Sequence, residues 1–238
     1  MPLYNIDNTV DIERYKLEVQ TRVLNALKNT VSFNVTLERS ENYLAKKINS
    51  KVSLVIFYAD LVNSTVMSNT LPVKRLATII QTFAQEMTLI VENFNGYTLK
   101  YVGDAVLSYF PTEKNYYLAC DTTIECSLAM INIIKDGINP ILTDYGYPEL
   151  EVKIGIDAGE HVVIRYGNEK RYYIDIIGYP ISMAAKITEH AKPNQILISN
   201  NVYQALHPML KRHFHEIELQ ILKYYLDNKG EPYKAYGT

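Results

Sequence analysis

The 238-residue chain has no tryptophan and only two cysteines. Cys120 and Cys126 lie six apart on one expected helix, so they point to different faces and do not suit a disulfide; free thiols fit a cytoplasmic protein. Charge of one sign is also lacking. A net charge of −2 leaves no broad basic field, so neither nucleic acid nor a membrane surface is expected as a partner. No apolar run approaches a membrane span, and no signal peptide opens the chain. The histidines are scattered, and the close pair His213 and His215 lacks further ligands at zinc spacing, which leaves them as surface residues. Neither a Walker-type glycine loop nor a dinucleotide fingerprint occurs, so the common nucleotide folds built on them have no support. Internal repeats and low-complexity linkers are missing too. Tyrosine is plentiful, with twenty residues, and nothing mechanistic accounts for that number.

The remaining pattern is an alternation of amphipathic helices and short apolar strands. Ile12, Tyr15, Val19, Val23 and Leu27 recur at steps of three and four, which predicts a helix over Val10 to Leu27. A short helix over Asn42 to Ile48 leads into a strand from Lys51 to Tyr58. Long helices follow over Pro72 to Phe94, with Pro72 in its first turn, and over Glu113 to Ile134, which Asn139-Pro140 is expected to break. Glu151 to Asp157 alternates as a strand, Ala158-Gly159-Glu160 reads as a turn, and His161 to Tyr166 as the returning strand. Strands are further expected over Tyr172 to Ile176, Gln195 to Ile198, His215 to Leu222 and Tyr233 to Tyr236, with a turn at Asn228-Lys229-Gly230. Helices are expected over Tyr179 to His190 and Asn201 to His207. This order predicts an α/β sandwich of βαββαβ type, a mainly antiparallel sheet with helices on one face.

Two isolated acids stand out. Gly96 to Phe110 reads as a β-hairpin, in which Gly103 frees the bend and Asp104 projects from the tip. A turn aspartate is by itself most often a turn former. Asp60, however, ends the apolar strand Ser53 to Tyr58, and a lone acid at the end of a buried strand needs a partner. If the two strands lie side by side, the carboxylates face each other. They then repel unless one takes up a proton or a cation lies between them. Oxygen donors of this kind suit magnesium and manganese. Asn63, Ser64 and Thr65 follow with capping oxygens, at a helix start whose N–H groups can also hold phosphate.

The motif Phe57-Tyr58-Ala59-Asp60-Leu61, followed after a helix by Lys100-Tyr101-Val102-Gly103-Asp104, resembles the metal-binding core of class III nucleotidyl cyclases. The likeness continues through Ile154 to Glu160, Tyr173 to Ile187 and Pro232 to Tyr236. These enzymes convert a nucleoside triphosphate to a 3′,5′-cyclic monophosphate and pyrophosphate. The resemblance implies a ferredoxin-like palm over residues 51–238, with an N-terminal helical extension over 1–50. It implies two divalent cations per site, Mn2+ or Mg2+, held by Asp60, Asp104 and the backbone carbonyl of Leu61. It assigns base reading to Lys100 and Asp175, a triphosphate contact to Lys234, and transition-state contacts to Ser182 and Lys186, where the family carries asparagine and arginine. Serine and lysine keep a donor and a charge there but lose the planar fork of arginine. Arg165 is a further possible phosphate contact, although a surface ion pair suits it better.

Tyr58 lies two residues before Asp60, on the same face of the strand. Most of the family carries phenylalanine there, and a tyrosine is similar to the Pycsar pyrimidine cyclases of bacterial antiphage defence. A lysine donor with an aspartate acceptor reads adenine, uracil or cytosine and argues against guanine. The resulting expectation is a cytoplasmic uridylate cyclase acting in antiviral defence, its cyclic product passing to a separate effector protein. The alternatives are a cytidylate cyclase, then an adenylate cyclase, then a degenerate domain that binds nucleotide without turnover. Family sites lie between two subunits. One chain supplies the aspartates and the other supplies the base readers and the Ser182–Lys186 helix, which implies a symmetric homodimer.

Overall fold

The computed structural model describes residues 12–29, 33, 35–168, 170–227 and 230–238. Val10 and Asp11 of the first expected helix, and Asn228 and Lys229 of the last expected turn, lie outside them. The elements in order are α1 (Ile12–Lys28), α2 (Glu38–Ala45), β1 (Lys51–Leu61), α3 (Ser64–Thr70), α4 (Val73–Asn93), β2 (Tyr97–Val102) and β3 (Ala105–Pro111). Then come α5 (Tyr116–Ile133), a π-helical turn (Ile134–Ile138), α6 (Asn139–Asp144), β4 (Val152–Gly167), β5 (Tyr172–Ile177) and α7 (Tyr179–His190). The chain closes with β6 (Ile196–Ser199), α8 (Asn200–Ala205), α9 (Pro208–Lys211), β7 (His215–Ile217), a 3-10 turn (Gln220–Tyr224) and β8 (Ala235–Gly237).

These strands form one sheet in the order β2-β3-β1-β4-β6-β8-β7, with β5 paired to β4. All its pairings are antiparallel except that of β4 with β6. The mixed α/β architecture with a mainly antiparallel sheet is the one expected from sequence. Helices, however, cover both faces of the sheet rather than one. Val55, Phe57 and Ala59 of β1 pack with Val19 and Val23 of α1, Phe83 and Met87 of α4, and Ile124 of α5. Leu54 and Ile56, of opposite parity, pack with Leu44 of α2 and with Ile181 and Ala184 of α7. The unbroken apolar run from Leu54 to Phe57, fully buried throughout, is the mark of a strand covered on both sides.

The expected turn at Ala158-Gly159-Glu160 does not exist, because β4 runs straight through it and pairs with β1 from Val152 to Val162. The glycines in this stretch serve close packing. A Cβ on Gly155 would meet the Ala184 carbonyl oxygen at 2.5 Å, and one on Gly159 would meet Pro180 at 2.8 Å, so α7 can lie directly on the strand. The break expected at Asn139-Pro140 is absent as well. Pro140 sits in the first turn of α6 after the π-turn, where its missing N–H costs nothing. Asn139 instead pairs its side-chain amide with the N–H and C=O of Leu150. Together, α5, the π-turn and α6 make a helical run that is, among the described residues, the one long and apolar enough by length and composition to cross a membrane. It departs from the expectation that no apolar run approaches a membrane span. Ile124, Met130, Ile134 and Ile138 of this run belong to the core.

Smaller shifts occur elsewhere. The second helix starts earlier than expected, α9 was not foreseen, and the strand expected over His215 to Leu222 stops at Ile217 before the 3-10 turn. Cys120 and Cys126 are free and buried, and burial pushes the Cys120 thiol up to about 12.

An ion pair ties α1 to the helical layer. Arg22 donates from Nε and Nη2 to the two oxygens of Glu86 at 2.8 and 2.7 Å, and the Glu86 side chain is fully buried. Removing one partner strands a buried carboxylate. Arg22→Ala is therefore expected to cost about 3–5 kcal/mol in urea unfolding at neutral pH. The double change Arg22→Leu with Glu86→Leu should recover most of that loss. A single variant as stable as the parent would show the pair to be idle.

Candidate active site

β1 and β3 pair antiparallel, with Tyr58 opposite Leu107 and Ala59 opposite Val106. Asp60, the next residue along β1, therefore comes beside the turn that joins β2 to β3. That turn is Gly103-Asp104, with Gly103 at φ 64°, a conformation glycine adopts without strain. The side-by-side arrangement expected for Asp60 and Asp104 is thus present. Burial pushes the Asp60 carboxyl above the usual carboxylate range, and the Asp104 charge adds to the push. Lys153 opposes it from across the ladder on β4, and Glu189 on α7 reinforces it. Asp104 Oδ2 is buried and has no hydrogen-bond partner among the described residues. An orphaned carboxylate oxygen beside a second carboxyl that resists ionisation is the charge pattern a divalent cation neutralises. The two aspartates therefore fit Mg2+ or Mn2+. Leu61, whose side chain is buried, follows Asp60 at the end of β1. No cluster of three or more His, Cys, Asp or Glu side chains able to hold a metal occurs among the described residues.

Lys100 and Asp175 form an ion pair within one chain. A bulge in β2 between Thr98 and Lys100 sets Lys100 opposite Leu107, on the sheet face that carries Tyr58. The Asp175 side chain is mostly buried, and its Oδ1 accepts from the Ile176 N–H at 2.9 Å. Tyr58 is half-buried against the same apolar cluster. Burial raises its hydroxyl pKa and the neighbouring Asp175 charge raises it further. Tyr58, Lys100 and Asp175 thus lie together within one chain.

The other candidates are engaged elsewhere. Ser182 and Lys186 share α7, but the Ser182 hydroxyl donates to the Gly178 carbonyl at 3.4 Å. Lys186 lies 5.0 Å from the centre of the Tyr225 ring, and the Tyr225 hydroxyl raises its pKa. Lys234 pairs with Glu216 at 3.3 Å. It follows Tyr233, whose hydroxyl donates to the buried Asp157 at 2.8 Å. Asn63 precedes α3 with φ 59°, yet its side chain makes no capping bond, because that left-handed conformation turns the backbone in place of a side-chain cap. Ser64 and Thr65 form the first turn of α3, and the Thr65 carbonyl accepts from Ser68. Arg165 stacks 5.4 Å from the centre of the Tyr172 ring, and the surface ion pair expected for it does not occur among the described residues. Lys153, Glu189 and Tyr225 went unnoticed in the sequence; pairing the two strands on paper would have put Lys153 opposite Asp60.

Residues 46–231 match the family described as the adenylate and guanylate cyclase catalytic domain. The chain belongs to this family of class III cyclases. It is 25% identical over 161 residues to an uncharacterised protein of Mycobacterium tuberculosis, covering 67% of this chain and 28% of that protein. It is 24% identical over 161 residues to the cytidylate cyclase of Escherichia coli, covering 62% of this chain and 34% of the relative. The chain therefore spans about a third or less of the length of these relatives. Its fold is shared with the crystal structure of the adenylyl cyclase CyaB from P. aeruginosa, at a TM-score of 0.67 and 21% identity over 79% of this chain and 94% of that one.

Because Asp60 has a raised pKa, the metal-free fold takes up a proton there at higher pH than the unfolded chain does. The stability this group contributes is greatest in acid and is lost as pH rises through the raised value. Mn2+ affinity should rise through the same window as the cation displaces the proton. Asp104→Asn should abolish Mn2+ binding in calorimetry while stabilising the metal-free protein at neutral pH. Unchanged Mn2+ binding in that variant, or an affinity flat with pH across the acid range, counts against the pair.

Proposed function

We propose that this chain is a nucleotidyl cyclase that converts a pyrimidine nucleoside triphosphate, UTP in preference to CTP, to its 3′,5′-cyclic monophosphate and pyrophosphate. The reading is carried by the meeting of Tyr58, Lys100 and Asp175. A donor, an acceptor and a polar aromatic tip converge where most of the family has phenylalanine in place of the tyrosine. Uracil offers O4 to the Lys100 ammonium and N3–H to the Asp175 carboxylate, so its edge can replace their direct bond with two others. Cytosine presents both polarities reversed. Divalent cations, Mn2+ or Mg2+, on Asp60, Asp104 and the Leu61 carbonyl would supply the acidity of the ribose 3′-hydroxyl and neutralise phosphate charge. Lys234 meets the triphosphate once released from Glu216, and the backbone N–H groups around Asn63, Ser64 and Thr65 lie close to Asp60 in the chain. Ser182 donates to ribose or phosphate, and Lys186 brings charge to the pentavalent phosphorus.

On this reading, Lys100 and Asp175, together with Ser182 and Lys186, serve the aspartates of a second copy. That accounts for Ser182 and Lys186 turning, within one chain, to Gly178 and Tyr225. The protein is then a cytoplasmic homodimer with two shared sites, and its product is a second messenger for a separate effector in antiviral defence. Similarity to a cytidylate cyclase favours CTP as the second substrate to test.

Incubation with ATP, GTP, CTP and UTP plus Mn2+, with products identified by mass, is expected to give cyclic UMP above cyclic CMP. Cyclic AMP as the main product would replace this reading with an adenylate cyclase, and nucleotide binding without any product would leave a degenerate domain. Asp60→Ala and Ser182→Ala, each inactive alone, should recover part of the activity when mixed under subunit exchange. Absence of rescue would place the whole site in one chain.

A further inference from the structure

Lys100 and Asp175 lie on strands that the sheet order keeps apart. β3, β1 and β4 stand between β2 and β5. The registers also set Lys100 level with Gly155 of β4 and Asp175 level with Ile164, so a flat sheet would separate them by about 19 Å across the strands and about 30 Å along them, beyond the reach of a lysine. Their ion pair therefore requires the sheet to curl until β2 and β5 approach each other. α2 lies against both of these strands. Leu44 is 1% exposed and shares its apolar cluster with Leu99, which precedes Lys100, and with Ile176, which follows Asp175. Ile174, on the other side of Asp175, packs on the same cluster.

The helix is also fastened to the β2–β3 hairpin. The Tyr43 ring stacks on Tyr97 at 5.0 Å. The Arg39 guanidinium sits 4.3 Å from the Tyr97 ring centre and donates to the Gly96 carbonyl at 3.0 Å. The Ser40 and Tyr109 hydroxyls are 3.0 Å apart. α2 ends at Ala45, and the match to the cyclase domain begins at residue 46. The element inside the curl therefore comes from the segment that precedes the matched domain.

We propose that α2 sets the separation of Lys100 and Asp175, with Leu44 as the positioning residue, and thereby decides which base the pair accepts. The inference rests on the base-reading role given to that pair above. Shortening Leu44 lets β2 and β5 close up around the vacated volume, whereas loosening the Arg39 and Tyr43 contacts lets β2 drift outward. Either change moves a donor relative to an acceptor, and two hydrogen bonds to one base edge tolerate little displacement. A helix that merely stabilised the fold would lower activity on every nucleotide alike.

The test uses the full chain with Mn2+ and two readouts. The first is kcat and KM for each of the four triphosphates. The second, independent of turnover, is calorimetric binding of the four 3′-deoxy triphosphates, which cannot cyclise. Leu44→Ala is expected to change the ratio between the favoured base and the next by about tenfold, mainly through KM, while Leu44→Met keeps the parental ratio. If Leu44→Ala does not fold, Arg39→Ala with Tyr43→Leu, nearer the surface of α2, carries the same expectation. Folded variants that keep the parental ratio in both readouts overturn the proposal. A parent that binds selectively but forms no product overturns the proposed activity alone, and the variants' binding ratios then decide the role of α2. A parent that binds none of the four overturns both.

Discussion

The burial of the Asp60 carboxyl beside the Asp104 charge is the constraint around which this protein is arranged. Nothing about either carboxylate alone is unusual. Their proximity follows from the pairing of β1 with β3, which carries Asp60 to the mouth of a two-residue turn. That register cannot slip, because a one-residue shift would reverse every side chain on a strand whose two faces are both buried. The hydrophobic core thus holds two carboxyls together, and the result is an orphaned oxygen on Asp104 and, through burial first and the Asp104 charge second, a carboxyl on Asp60 that resists ionisation. This is a charge pattern that a divalent cation would neutralise.

Burial on both faces has a second consequence. A sheet with helices on one side alone could lie open. Here α7 rests directly on β4, at glycines where a side chain would clash with the Ala184 carbonyl or with Pro180. α2 occupies the neighbouring part of the same face. The sheet bends around them, and β2 and β5 bring Lys100 to Asp175. The Lys100–Asp175 pair is in this sense a product of packing beneath it, and Tyr58 shares its setting because it stands on the same face of the sheet.

The remaining polar residues are engaged with other partners. Ser182 satisfies its hydroxyl on its own helix, Lys186 lies on Tyr225 and Lys234 on Glu216. These are weak, solvent-accessible contacts that a triphosphate can replace at small cost. Lys234 is nevertheless well placed in the backbone, since the adjacent Tyr233 is anchored to the buried Asp157 and the Lys234 carbonyl accepts from the Asn200 N–H at 3.1 Å.

The sequence by itself determined the hairpin with its aspartate tip, the isolated acid ending β1, the long amphipathic helices and the family motifs, because each is written within a few consecutive residues. It also held the information that β1 is covered twice, in the unbroken run from Leu54 to Phe57, although the alternation of helices and strands suggested one covered face. Only the tertiary structure decided that Gly159 lies in a continuous strand and that Asn139-Pro140 continues a helical run. A glycine or proline marks what the backbone is free to do, and the partner strand or the preceding turn selects among those options. The meeting of Lys100 with Asp175 was likewise decided in three dimensions, since it depends on the curl of a whole sheet and on where a helix from outside the matched domain packs, neither of which leaves a local pattern.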